Sequence, residues 1–204
     1  MRAETSSEKK AGRPRDERAR RCVLDAVRRH LREGGLCGLT MEGIAREAGV
    51  GKQTLYRWWP GLADVALEAL MEEAGAACPI PDSGDLAQDL RAFLQSTFRT
   101  IRQHTGPLLR CLIVEAQKNA AFREKFLSLF IRSRQEALGC LLARHGAGRA
   151  DPALLVDMVY GVLWYRLLVR HAELDDTLAD QLAQAILALW GDPPGAGLKA
   201  TDPC

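Results

Sequence analysis

What the 204 residues lack narrows the field first. The six cysteines (Cys22, Cys37, Cys78, Cys111, Cys140 and Cys204) stand far apart, with no C-x-x-C and no histidine pair beside them. That spacing argues against a zinc site and against a disulfide framework. It leaves reduced thiols scattered in and around a helical core, with a thiol redox sensor as the alternative. No apolar run approaches the roughly 20 residues that cross a bilayer. The opening stretch MRAETSSEKKAGRPRDERARR has no apolar core of the kind a secretory signal needs, so a cytoplasmic protein is expected. Nucleophile elbow, P-loop, dinucleotide fingerprint and H-E-x-x-H motif are all missing. The four histidines, His30, His104, His145 and His171, stand singly. No catalytic set, metal site or cofactor is expected.

What remains is an ordinary globular composition, 47% apolar and 26% charged, with an uneven charge. Residues 1–60 carry 14 Lys and Arg against 8 Asp and Glu, whereas the other 144 carry 14 against 18. A basic head on a mildly acidic body points to a polyanion partner for the head alone. Residues 1–13 have no periodicity and read as a disordered basic arm. Arg13 and Arg15 flank Pro14 there, a shape suited to lying along a minor groove, although a solvated tail has the same composition.

From about residue 14 to 33 the pattern turns helical. Ala19, Cys22, Val23, Ala26, Val27, His30 and Leu31 form one apolar stripe, with Arg21, Arg28 and Arg32 pointing away, and Gly34-Gly35 ends the helix. Thr40 is placed to cap a second, very short helix, with Leu39 and Ile44 as a hydrophobic staple. Met41, Ile44, Ala45 and Ala48 face inward, and Gly49 hinges the chain. In the next helix, about 51 to 58, Leu55 and Trp59 lie inward while Gln53, Tyr56 and Arg57 share the outer side. That outer face suits a major groove: glutamine pairs with adenine, arginine with guanine, and a ring meets a thymine methyl.

The stretch LTMEGIAREAGVGKQTLYRWWP closely resembles the DNA-binding signature of the TetR/AcrR family of bacterial regulators, over roughly residues 14–76 with its flanking helices. The resemblance implies an all-α homodimer, with an N-terminal three-helix DNA-binding domain and a larger C-terminal helical domain for ligand binding and dimerisation. It implies base-edge and groove roles for Lys52, Gln53, Tyr56 and Arg57, and phosphate contacts for Thr40, Thr54, Tyr56 and Trp58. Two positions depart from the pattern. Gly51 stands where a serine commonly caps the recognition helix, and Leu62 where a phosphate-gripping lysine is usual. The arm around Arg13 and Arg15 is expected to compensate.

Residues 62–76 read as a connecting helix, and Cys78-Pro79-Ile80-Pro81-Asp82-Ser83-Gly84 as a loop. Five helical stretches follow. The C-terminal domain is placed at 77–191, with 14–61 as the DNA-binding domain and 192–204 as a flexible tail. In the stretch from about 152 to 171 apolar residues cover nearly the whole circumference, which requires burial on more than one face. Leu155, Val159, Val162 and Leu163, with Leu178, Leu182, Ile186 and Leu189 of the last helix, are therefore candidates for a four-helix dimer interface; burial inside one protomer is the alternative. Candidates for a ligand pocket are Phe93, Thr97, Phe98, Ile101, Leu112, Glu115, Phe126, Phe130, Met158, Trp164 and Tyr165, although plain core accounts for most such residues. Glu115 and Arg166 are its polar candidates. The function expected is a homodimeric regulator, a repressor released from a palindromic operator in double-stranded DNA by a small-molecule effector, with no membrane partner. An effector-independent architectural DNA-binding protein is the first alternative, and a helical small-molecule-binding protein or enzyme the second.

Overall fold

In a computed structural model, residues 17–34, 39–146 and 148–191 are described, and among them helices account for all regular structure, with no strand. The basic arm with Arg13 and Arg15, the Gly35 end of the first stop signal, and the tail lie outside the described residues.

The first helix, α1 (Glu17–Gly34), buries Val23, Leu24, Ala26 and Val27 completely. The expected stripe is slightly rotated: Leu24 belongs to it, and Cys22 is exposed. Helix α2 (Met41–Glu47) begins as expected, with the Thr40 hydroxyl accepting the Gly43 amide at 3.0 Å. The chain then reverses at Gly49, whose φ of +66° is a left-handed conformation that a side chain would strain. Helix α3 (Lys52–Trp58) starts from Gly51 with no side-chain cap. Its Leu55, with Ile44 of α2 and Val23 and Val27 of α1, fills the centre of a three-helix head.

Helix α4 (Leu62–Ala77) runs from that head into the larger body, which holds α5 (Leu86–Thr100), α6 (Gly106–Lys118), α7 (Ala120–Phe126), α8 (Arg132–Arg144), α9 (Pro152–Val169) and α10 (Asp176–Trp190). Side-chain caps set several of these starts. Asp85 accepts from Ala87 and Gln88, Asn119 from Phe122, Asp151 from Ala153, and Asp175 from Leu178. A cap of this kind contributes about 1 kcal/mol. The core is Phe93, Leu94, Phe98, Leu112, Phe126, Leu138 and Leu141, all at most 1% exposed. Each such side chain contributes about 1.5–3 kcal/mol of burial. Helix α10 packs along α5, while α9 packs on α8 and α6.

Two wide π-helical turns interrupt this body, Ile101–Thr105 between α5 and α6 and Leu127–Ile131 between α7 and α8. The first has a local cause. Pro107 has no amide to bond back to Gln103, and the Gly106 amide bonds instead to the Ile101 carbonyl five residues back. A β-carbon on Gly106 would stand 2.6 Å from that carbonyl oxygen, so the turn requires glycine there. The second turn carries the last ring of a stack: Phe122, Phe126 and Phe130 lie nearly parallel, 6.1 and 5.8 Å apart.

Candidate nucleic-acid interface and the cavity behind it

The short α2 and α3 place Lys52, Gln53, Tyr56 and Arg57 on the exposed side of the head. The side chains of Gln53 and Arg57 make no hydrogen bond or ion pair with other described residues, and Tyr56 is 40% exposed. Thr40 is exposed at the start of α2, its hydroxyl proton still available while its oxygen caps the helix. Thr54 is half-buried.

Trp58 departs from the expected set of phosphate contacts. Only 8% exposed, it packs edge-on against Trp59 with ring centroids 5.6 Å apart. One turn after Leu55, it falls on the inner side of α3 because a seven-residue helix has little room for an outer face wider than Gln53, Tyr56 and Arg57.

Glu42 also belongs to this surface, although sequence reasoning passed over it. Its carboxylate takes the Lys52 ammonium at 2.5 Å and the Tyr56 hydroxyl at 3.4 Å, while Lys52 also lies over the Tyr56 ring. The Lys52 hydrogen bond holds the Glu42 carboxyl below the usual carboxylate range, and Glu42 raises Lys52 in turn. The Lys52 ammonium is thus already engaged by a carboxylate of its own head. An acidic first turn is ordinary helix chemistry, so the sequence held no separate signal for it.

The head is tied to α4 by a charged joint. Arg20 of α1 reaches Glu68 at 2.5 Å and Glu72 at 2.6 Å, and Arg28 reaches Glu72 at 2.5 Å. The indole N–H of Trp59, a residue 2% exposed, donates to the other Glu68 oxygen at 2.6 Å. Burial alone would raise the Glu72 carboxyl, but hydrogen bonds from Arg20 and Arg28 outweigh it and hold it low. From the other side, Lys125 of α7 pairs with Asp64 of α4 at 2.6 Å. Leu62, where a lysine was expected, is half-buried against the core at the start of α4.

At the far end of α4 lies a cavity of about 40 Å³, between α4, α5, α6, α8 and α9. Four expected residues line it: Thr97, Ile101, Phe130 and Trp164. Ala74, Cys78, Thr100, Thr105, Leu109, Ile131, Arg134, Tyr160 and Leu163 complete the wall. Both π-turns contribute to it, through Ile101 and Thr105 and through Phe130 and Ile131.

The other expected pocket residues fall elsewhere. Phe93, Phe98, Leu112 and Phe126 are sealed in the core. Glu115 lines an open cleft beside Pro60–Asp64, and Met158 and Tyr165 face outward, 39% and 59% exposed. Arg166 lines a separate open cleft with Arg102, Arg110 and Arg170, donating to the Glu173 carbonyl.

The expected dimer face needs a similar correction. Leu155, Val159, Leu163, Leu178 and Ile186 are 1–6% exposed and are used by the protomer's own core. Val162 and Leu182 are half-buried, and Leu189 is exposed. The uncovered stripe of α9 is instead Leu154, Met158, Gly161, Tyr165 and Leu168. These recur at three- and four-residue steps, the spacing of one helix face. Because α9 is apolar all round, periodicity alone does not say which face turns inward. At 18 residues and a mean hydropathy of 1.4, α9 is long and apolar enough by composition to cross a membrane, and 33% of it is buried within the body.

A three-helix head with a solvent-facing second helix, mounted on a larger helical body, defines a helix-turn-helix DNA-binding regulator. Known proteins identify the family. Residues 23–69 match the model of bacterial regulatory proteins of the tetR family, and residues 80–186 that of the tetracyclin repressor-like C-terminal domain. The chain is 30% identical over 178 residues to the HTH-type transcriptional regulator YdeS of Bacillus subtilis, itself uncharacterised, covering 85% of this chain and 90% of that protein. The regulator AqdR of Rhodococcus erythropolis is 33% identical over 103 residues, half of each chain. Among solved structures, the TetR family transcription regulator SCO0332 superposes with a TM-score of 0.73 at 31% identity, over 83% of this chain and 97% of that one. This chain belongs to the TetR family of bacterial transcriptional regulators.

Proposed function

We propose that the protein acts as a homodimeric repressor whose two heads grip a palindromic operator, and whose grip a small-molecule effector loosens. The observation that carries this reading is the continuity of α4. Its middle, at Glu68 and Glu72, is clamped to the DNA-reading head by Arg20, Arg28 and Trp59, and its last turn, beginning two residues after Glu72, walls the cavity through Ala74. A change of cavity shape therefore reaches the head through one rigid element. Residues 14–61 serve as the reading head, 62–76 as the lever and 77–191 as the effector and dimer domain. Neither metal nor cofactor takes part.

Gln53 and Arg57 read base edges, Tyr56 contacts the groove, and Lys52, Thr40 and Thr54 hold phosphates, assisted by Arg13 and Arg15 of the arm. The exposed stripe of α9 with Ala185, Ala188 and Leu189 of α10 packs on a second copy, which explains so apolar a helix without a bilayer. Half-sites then lie about 34–36 Å apart, or somewhat farther if the dimer spreads. Selection of bound fragments from random DNA tests the reading. One shared palindrome is expected. A·T-rich fragments without symmetry would support the architectural alternative instead, and no enrichment would remove both.

A further inference from the structure

Among its described lining residues the cavity has one charged side chain, Arg134 of α8. Its guanidinium carbon lies 5.9 Å from the centre of the Phe93 ring, and it has no carboxylate partner among the described residues. A cation half-withdrawn into an apolar wall is costly without a counter-charge. A second donor shares the space. The Thr97 hydroxyl oxygen is buried without a hydrogen-bond partner, whereas Thr100, one turn on, donates to the Ser96 carbonyl at 2.8 Å. Both groups can donate and neither has a charged acceptor among the described residues, so the wall suits an acceptor with negative charge.

We propose that the effector is a compact apolar molecule bearing one carboxylate, held by Arg134 and Thr97, with its body against Phe130, Leu109 and Trp164. The proposal rests on the effector reading above and names its chemistry.

The same arginine gives that chemistry a consequence. In the ligand-free protein Arg134 donates a long hydrogen bond, 3.5 Å, to the Ala74 carbonyl in the last turn of α4. A carboxylate forms shorter, charge-assisted bonds and wins the arginine from that carbonyl. The exchange leaves nothing orphaned, because the Ala74 oxygen also accepts the Cys78 amide at 3.1 Å. Tyr160 holds the α8 backbone in place meanwhile, its hydroxyl donating to the Arg134 carbonyl at 2.7 Å. The arginine thus changes partners while its helix stays, and the end of α4 loses a tether. At about 40 Å³ the cavity holds about three waters, so a ligand must widen it. The two π-turns in its wall, each with an extra residue in its turn, are where the helices can shift register.

Calorimetric titration of the full chain with benzoate and octanoate, each compared with its neutral amide, tests the assignment. At least one acid is expected to bind about tenfold or more tightly than its amide. Arg134→Gln removes that preference, and Arg134→Lys, which keeps the charge, retains part of it and controls for folding. Equal binding of acid and amide, a preference that survives Arg134→Gln, or no binding of either acid overturns the proposal. None of those results touches operator selection, whereas loss of the palindrome would remove the regulator reading and leave the cavity chemistry standing.

Discussion

The joint between Trp59 and Glu68 decides whether the head and the lever move as one piece. Trp59 is sealed at 2% exposure, and its N–H finds Glu68 at 2.6 Å. Glu68→Ala leaves that indole donor without this acceptor, and an unsatisfied buried donor costs about 1–3 kcal/mol. Arg20 is less affected, because Glu17 and Glu72 remain beside it at 2.9 and 2.6 Å. Trp59→Phe removes the donor and leaves Glu68 with Arg20, at a cost of about 1 kcal/mol plus the smaller ring's lost packing. At about 2–4 °C per kcal/mol for a chain of this size, Glu68→Ala lowers the melting midpoint by about 4–8 °C for a mid-range cost of 2 kcal/mol. The double variant isolates the hydrogen bond. If the bond carries the joint, the two losses overlap and the thermodynamic cycle shows coupling of about 1 kcal/mol or more. Operator affinity, measured by fluorescence anisotropy well below the melting transition, falls with Glu68→Ala although no DNA-facing residue has changed. Losses that add to within about 0.5 kcal/mol, with operator affinity unchanged, would refute the joint.

Three further outcomes follow from the same geometry. Arg57→Ala or Gln53→Ala costs about 1–3 kcal/mol of discrimination at one base pair of the half-site, read by titration against permuted operators, and unchanged selectivity would clear these residues of base readout. Glu42→Gln frees Lys52 from its ion pair, so binding to non-operator DNA should tighten, and its dependence on log salt should steepen by up to about one unit; the lowered Glu42 carboxyl adds a sign. A folded-state value held below the unfolded one makes the pair's stabilisation present above about pH 4.3 and lost as pH falls through the folded value, a loss the variant lacks when melting is followed against pH. Met158→Glu places a charge in the centre of the uncovered α9 stripe, and on the proposed dimer reading sedimentation shows a dimer for the parent and a monomer for the variant.

What the sequence made legible divides along a physical line. The helix-turn-helix was readable because its rules are local: Thr40 must cap, Gly49 must take a positive φ, and Gln53, Tyr56 and Arg57 must share a side at steps of three and four. The helix boundaries of the body were readable for the same reason, from Asp151-Pro152, Gly106-Pro107 and the Pro79–Pro81 loop. Which face of α9 meets which neighbour was not, because Leu155 and Leu154 are equally apolar and differ only in what the fold brings against them. Arg134 was missed too. Its significance comes from Phe93 and Ala74, 41 and 60 residues away, and an arginine within RSRQE reads as a solvated helix face. Trp58 was misplaced because the head uses both tryptophans of the pair as wall.

The size of the cavity constrains how any effector can act. A volume of about 40 Å³ excludes even a single aromatic ring with a carboxylate, since an engineered cavity near 150 Å³ is what holds benzene. The closed structure and the occupied one are therefore different packings, and a ligand favours the second only by its differential affinity. Steric exclusion makes that difference large, which is what a switch needs: equal affinity for both states shifts nothing. The cost of opening lowers apparent affinity by the same factor that the open fraction falls short of one, so weak effector binding and strong switching go together here. The wall that must yield includes Ala74, two residues beyond Glu72, through which, with Glu68, the same helix is pinned to the reading head. Opening that displaced only α5 and α8 would leave the head where it stood. Because Arg134 bonds to Ala74 in the closed state and lines the space a ligand would enter, a ligand that captures it acts on α4 directly, and the lever then moves by losing a tether.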